Sequence, residues 1–235
     1  MKENRYDDEE FFQKYSQMSR SQKGLSGAGE WSTLKKLLPD FAGKRVLDLG
    51  CGYGWHCIYA AEQGAASVIG VDLSDRMLSV AREKTKCPQV RYQRCAIEDI
   101  AFLPESFDVV LSSLALVAQK VAGYLVRGGD FVFSVEHPVF TAYGSQDWFY
   151  SDSGEILHFP VDRYYYEGPR QAVFLGEKVT KYHKTLTTYL DGLLQAGFSI
   201  ERVVEPQPPE EMRDQPGMKD EMRRPMMLII AARKK

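Results

Sequence analysis

The chain has 235 residues, room for one well-packed α/β domain with an elaboration and short for two independent domains. Hydrophobic residues make up 44% and charged residues 26%, the balance of an ordinary soluble globular protein. A formal net charge of -2 argues against a dedicated nucleic-acid binder, whose affinity rests on neutralising phosphates.

The segment 1–10 is polar and acid-rich, unlike a signal peptide, and no apolar run reaches the roughly 20 residues of a membrane helix. The cysteines Cys51, Cys57, Cys87 and Cys95 form no C-x-x-C pair, and no histidine stands at zinc-finger spacing, so no metal is expected. This unpatterned use of cysteine suits a reducing compartment. The expectation is a cytoplasmic protein that touches neither membrane nor nucleic acid, as a monomer or homodimer.

Residues 6–15 read as a short helix with an apolar edge at Tyr6, Phe11, Phe12 and Tyr15. A Ser- and Gly-rich loop follows over 19–29, then a helix over 31–38 that Pro39 ends. From Lys44 the pattern alternates between strand and helix. Strands are expected at 45–49, 67–71, 90–93, 107–112 and 130–135, the last introduced by Gly128-Gly129. Helices are expected at 55–63, stopped by Gly64, and after Ser74, a good N-cap with Asp75 in the first turn. The connection 116–127 is short for a helix between the fourth and fifth strands. Residues 185–196 read as a helix closed by Gly197, and 198–204 and 226–232 as the final strands. Alternation of this kind implies a parallel sheet covered on both faces. The whole is expected to be one domain over 1–235, with a helical segment at 1–43 and an insertion at about 138–183. That insertion is dense in aromatics, too apolar for a disordered linker, and reads as a lid.

The decisive motif is Val46-Leu47-Asp48-Leu49-Gly50-Cys51-Gly52-Tyr53-Gly54. Glycines where a strand turns into a helix let the backbone approach a ligand at the carboxyl edge of an open sheet. The second strand then ends at Asp72, where a carboxylate can accept both hydroxyls of a ribose. A dinucleotide fingerprint would read G-x-G-x-x-G. Here the spacing is G-x-G-x-G, with Trp55 where the third glycine would stand, which favours S-adenosylmethionine over NAD.

At these residues the chain resembles the class I S-adenosylmethionine-dependent methyltransferases, over essentially its whole length except the lid. The resemblance implies a Rossmann-like sheet of order 3-2-1-4-5-7-6 with an antiparallel seventh strand. It implies that Gly50, Gly52 and Gly54, with Cys51, lie against the methionine part of the cofactor. Asp72 would hold the ribose, with Leu73 and Met77 near the adenine. Ala96, Ile97 and Glu98 would line the adenine's other side, and Ser112 would border the site. Many relatives carry Asp where Ala96 stands, so Glu98, Asp99 or backbone would read the adenine amino group. Asp48 would orient the glycine loop. The segments Gly29-Glu30-Trp31, Ser134-Val135-Glu136-His137-Pro138-Val139-Phe140 and Arg224-Pro225-Met226-Met227 are similar to a bacterial subgroup of small-molecule methyltransferases.

His137 follows the fifth strand at the ligand edge and could act as a general base or simply order the lid. His183 is a second candidate, with capping or packing as its other reading. His56 and His158 default to structure. Trp31, Tyr143, Trp148 and Tyr182 are candidates to line a substrate, although a lid needs aromatics for burial alone. Arg20, Glu30 and Trp31 could close over the methionine end. No Asn-Pro-Pro-aromatic motif follows the fourth strand, where Ser112-Ser113-Leu114 stands, which disfavours methylation of adenine in DNA. The expected activity is methyl transfer to an O, N or C nucleophile of a small molecule. The rivals are a non-catalytic S-adenosylmethionine-binding regulator and an NAD-dependent oxidoreductase.

Overall fold

In the computed structural model, residues 4–113, 118–210, 213–214 and 217–235 are described. The N-terminal segment forms a 3-10 turn (Arg5–Asp7) and three short helices, α1 (Glu9–Ser16), α2 (Ser19–Lys23) and α3 (Trp31–Leu34). The expected loop over 19–29 is therefore partly ordered as α2 and a 3-10 turn at Gly24–Gly27. The expected helix over 31–38 splits into α3 and a 3-10 turn at Lys35–Leu37, leaving Leu38 extended. Pro39 explains this, because the residue before proline is pushed out of the helical region.

The α/β part runs β1 (Arg45–Leu49), α4 (Trp55–Glu62), β2 (Ser67–Asp72), α5 (Asp75–Lys84), β3 (Val90–Arg94), β4 (Phe107–Ser113), α6 (Ala118–Tyr124) and β5 (Leu125–Glu136). Ser74 caps α5 by accepting from the Met77 amide at 3.1 Å. The short connection before β5 holds a trimmed helix: α6 passes directly into β5, which starts earlier than expected and contains Gly128-Gly129. Residues 116 and 117 of that connection, and Leu114, lie outside the described residues.

The lid consists of α7 (Pro138–Ala142) and two antiparallel hairpins, β6 (Phe149–Tyr150) with β7 (Ile156–His158), and β8 (Gly168–Phe174) with β9 (Glu177–His183). The chain closes with α8 (Leu186–Gln195), β10 (Phe198–Val204), α9 (Met218–Glu221) and β11 (Met227–Lys234). The sheet order is β3-β2-β1-β4-β5-β11-β10, with β1 to β5 parallel and β11 antiparallel to both its neighbours. The expected order and the reversed last strand are both present.

The period-2 alternation of the strands sorts the core onto two faces. Leu47, Leu49, Val110, Phe131 and Phe133 pack with Tyr189 and Leu193 of α8. Val46, Val68, Val109 and Leu111 pack with Cys57, Ala60 and Ala61 of α4 and Leu78 of α5. With both faces covered, the carboxyl edge of the sheet is left for a site. Among the described residues, no helix is long and apolar enough to cross a membrane.

Candidate cofactor and active site

The turn from β1 into α4 is held from β2. The amides of Gly50 and Cys51 both donate to the Val71 carbonyl, at 2.8 and 3.0 Å. The Gly52 amide donates to Asp72 Oδ2 at 2.9 Å, and the Ser74 amide to Asp72 Oδ1 at 2.9 Å. Asp72 therefore ties the glycine loop to the start of α5. Burial pushes its carboxyl above the usual range, while the amides of Ser74, Gly52 and Leu73 pull the other way.

The other motif acid has a different place. Asp48 is fully buried, with Oδ2 accepting from the Cys57 thiol at 3.3 Å. Its Oδ1 has no partner among the described residues, and burial raises its carboxyl above the ordinary value. The loop amides themselves are held by Val71 and Asp72, while Asp48 reaches the first turn of α4 through Cys57.

Two glycines show different needs. Gly52 has φ +51, and a Cβ there would meet no atom of the described residues within 4 Å. At Gly54 (φ +74), an added Cβ would lie 2.1 Å from Tyr92 Oη. At Gly54 the left-handed backbone and the neighbouring Tyr92 of β3 both disfavour a side chain.

A cavity of about 240 Å³ opens in front of this loop. Its floor is Gly50, Cys51, Gly52, Tyr53, Asp72 and Met77, with Trp55 and His56 from the start of α4. Its roof is the N-terminal segment, through Tyr6, Tyr15, Arg20, Ser21, Gly24, Leu25 and Ala28. The first part of the segment is fastened at several points. Asp7 Oδ1 accepts from Ser74 Oγ at 2.5 Å and from the Arg76 amide at 3.2 Å. Phe11 is buried against Ala172 and Val179 of the β8–β9 hairpin, and Lys14 pairs with Glu177 at 3.2 Å. Phe12 and Tyr15 meet the Tyr53 ring of the glycine loop at 6.0 and 5.8 Å. The segment acts as a strap across the site. Arg20 projects from it and pairs with Glu30 at 2.8 Å.

Of the expected cofactor residues, the cavity brings together Gly50, Cys51, Gly52, Asp72 and Met77. Asp48, Gly54, Leu73, Ala96, Ile97, Glu98 and Ser112 do not line it. Ile97 packs on the sheet core, the Leu73 carbonyl accepts from Arg94 Nε at 3.2 Å, and Lys120 donates to the Glu98 carbonyl. Sequence reasoning missed Tyr6 and Tyr15, which it read as the apolar edge of a helix, and His56 and Trp55. The signal available was a pair of tyrosines on a segment rich in aromatics upstream of the motif.

Neither candidate base is open to a substrate. His137 caps α7, its Nδ1 accepting from the Val139 amide at 3.1 Å, and its Nε2 lies 2.8 Å from Glu205 Oε1. Burial lowers its pKa while Glu205 raises it. His183 is 1% exposed, with Nδ1 2.8 Å from Thr141 Oγ1 and Nε2 2.8 Å from the Tyr164 carbonyl. Both ring nitrogens of each histidine have partners, in the lid for His183 and in the lid and at Glu205 for His137, an arrangement that matches the alternative reading of histidines that order the lid.

The expected substrate-lining residues are dispersed. Trp31 packs edge-on against Tyr59, with ring centroids 4.9 Å apart. Tyr143 and Tyr182 are exposed. Trp148 lines a second cavity, under the β6–β7 hairpin, with Phe159, His158 and Arg223. There the Arg224 guanidinium is enclosed by Phe140, Trp148 and Phe159 at 4.5, 5.0 and 4.8 Å, and pairs with Glu221 at 3.0 Å.

A glycine turn after β1, an acid at the end of β2 and a reversed final strand define an α/β enzyme built around a nucleoside cofactor. Residues 46–126 match the family model described as a methyltransferase domain. The fold matches, at TM-score 0.86, a crystal structure titled as a candidate S-adenosylmethionine dependent methyltransferase from Listeria monocytogenes. It is 57% identical and covers 90% of this chain and 99% of that one. An S-adenosylmethionine dependent methyltransferase from Mesorhizobium loti is similar at TM-score 0.82 and 40% identity, covering 90% of this chain and 100% of that one. An uncharacterized protein of Haemophilus influenzae is 35% identical over 97% of this chain and 96% of its own length. The chain belongs to the class I S-adenosylmethionine-dependent methyltransferase family, and S-adenosylmethionine is its cofactor.

Proposed function

We propose that this methyltransferase acts on a small molecule, with its cofactor in the cavity under the strap, the ribose on Asp72 and the carboxylate on Arg20. The observation that carries the reading is that one cavity holds both an acid at the end of β2 and a cation from the strap. The ribose presents hydroxyl donors and the amino-acid end presents a carboxylate, so opposite charges at two points fix the ligand's direction. The residues present fit the group. Among the described residues, no atom fills the room that Gly52 leaves, and the indole Nε1 of Trp55, in the cavity wall, has no partner.

When bound, the cofactor supplies a methyl group already activated on a positively charged sulfur. The chain's share is then alignment and exclusion of water. The strap covers the loop, and the lid stands over the adjoining edge of the sheet at β5. With both histidines committed elsewhere, the reading assigns no base to either. A cavity roofed by the strap suits a small acceptor better than a nucleic acid, in keeping with the net charge of -2.

Calorimetric titration with S-adenosylhomocysteine, on wild type and on Asp72→Ala, tests this. Loss of hydrogen bonds to a charged group, worth about 1.5–3 kcal/mol each, predicts binding at least about tenfold weaker in the variant. No binding by folded wild type, or equal binding by both proteins, contradicts the assignment.

A further inference from the structure

The cavity that holds Asp72 and Arg20 is also lined by two phenols from the strap, Tyr6 and Tyr15. Tyr6 and Tyr15 stand edge to face, with ring centroids 5.1 Å apart and planes at 82°. Both line the cavity, and both come from the strap. They share the wall of this one cavity with Asp72 and Arg20. Burial pushes both phenols up, so they remain neutral and keep their rings electron-rich without adding a charge.

The pair is held in place by other parts of the strap. Tyr6 is followed by Asp7, fixed to Ser74 and the start of α5. Its ring also packs edge-on against Phe11, at 5.4 Å and 79°. Tyr15 packs on Tyr53 of the glycine loop at 5.8 Å and 88°. Fold stability alone does not explain two tyrosines here, because their ring contacts could be made by phenylalanine or leucine. The faces of aromatic rings attract cations, and a cation lacking a hard shell of water is attracted most.

We propose that Tyr6 and Tyr15 form a cation-reading site for the cofactor's sulfonium, so that the strap grips the charged cofactor more firmly than the neutral product. The proposal rests on the cofactor orientation given above: a ribose on Asp72 and a carboxylate on Arg20 leave the sulfur between them. In the transfer, the acceptor's lone pair forms the new bond to the methyl carbon. The electron pair of the sulfur–methyl bond returns to sulfur, and the positive charge passes to the acceptor, which sheds a proton where it has one. The sulfur is then neutral, and the attraction to the tyrosines is gone. The same two residues that favour the substrate form of the cofactor thereby loosen the strap for release.

Equilibrium binding reads this without any acceptor. Titrations use S-adenosylmethionine, its ammonium analogue sinefungin and neutral S-adenosylhomocysteine, on wild type, Tyr6→Leu and Tyr15→Leu. The expected result is a loss of about three- to thirtyfold for both charged ligands, with less than about twofold for S-adenosylhomocysteine. Either variant carries the test if the other fails to fold. Equal weakening for charged and neutral ligands reduces the tyrosines to packing and overturns the proposal, as does no change in either. If folded wild type binds none of the three, the cofactor reading itself fails, which is distinct from a binding protein whose variants keep the wild-type ratio.

Discussion

The β1–β2 half of the sheet edge and the β5 half use their polar side chains differently. In the first, Asp72 and Arg20 both line a cavity with the glycine loop, even though Asp72 also accepts from two amides and Arg20 pairs with Glu30. In the second, His137 and His183 direct both ring nitrogens to Val139, Glu205, Thr141 and Tyr164, and Arg224 is enclosed by rings and Glu221. The lid is thus held by a polar network that it shares with the C-terminal segment, through Glu205, Glu221 and Arg224. A histidine next to a ligand edge is evidence of chemistry only when one nitrogen is left to do it.

Substitutions can break that contrast. The largest effect is expected from Gly54→Ala, which combines a left-handed backbone with a clash on Tyr92. A loss of roughly 2–4 kcal/mol in urea unfolding is predicted. Unchanged stability would show that Tyr92 moves aside and the left-handed backbone accepts a side chain at no cost.

His183→Ala is next. It strips the partner from Thr141 Oγ1 and from the Tyr164 carbonyl, a cost of about 1–3 kcal/mol read as faster amide exchange in β9. S-adenosylhomocysteine affinity should stay within about twofold if the lid half is separate, since a coupling of 1.4 kcal/mol would already show as tenfold. A large loss of affinity would join the two halves.

His137 gives a pH signature. Folding lowers its pKa, so the unfolded chain takes up the proton first as pH falls. Its contribution is complete above about pH 6.5 and is lost as pH falls towards the folded value. In His137→Asn, which keeps a capping side chain, this acid-side decline in the thermal midpoint should disappear. A decline of the same size in both proteins would assign it to other groups. The smallest effect is predicted for Tyr182→Ser at an exposed ring, within about 0.5 kcal/mol of wild type. A larger loss would mean that the ring is covered in solution.

Much of the first half was legible because its physics is local. The glycine spacing, Asp72 at the end of β2 and the Ser74 cap each concern neighbours in sequence, and strand alternation defines the sheet. The strap was not legible in that way. Tyr6 reaches the site only because Asp7 bonds to Ser74 and Phe11 enters a hairpin more than 150 residues later, near Ala172. Nor could the sequence show that Gly54 answers to Tyr92, or that the partners of His137 and His183 consume their nitrogens. The aromatic density at 138–183 announced a packed insertion. Its division into α7 and two hairpins depended on turns and on Arg224 arriving from the far end of the chain.

The most direct test of the central claim is a crystal structure with S-adenosylhomocysteine. The account predicts the ligand beneath the strap, with its ribose hydroxyls on Asp72, its carboxylate at Arg20 and its sulfur facing Tyr6 and Tyr15. Ligand density in the cavity under the β6–β7 hairpin, or a ligand lying with its carboxylate towards Asp72, would contradict it.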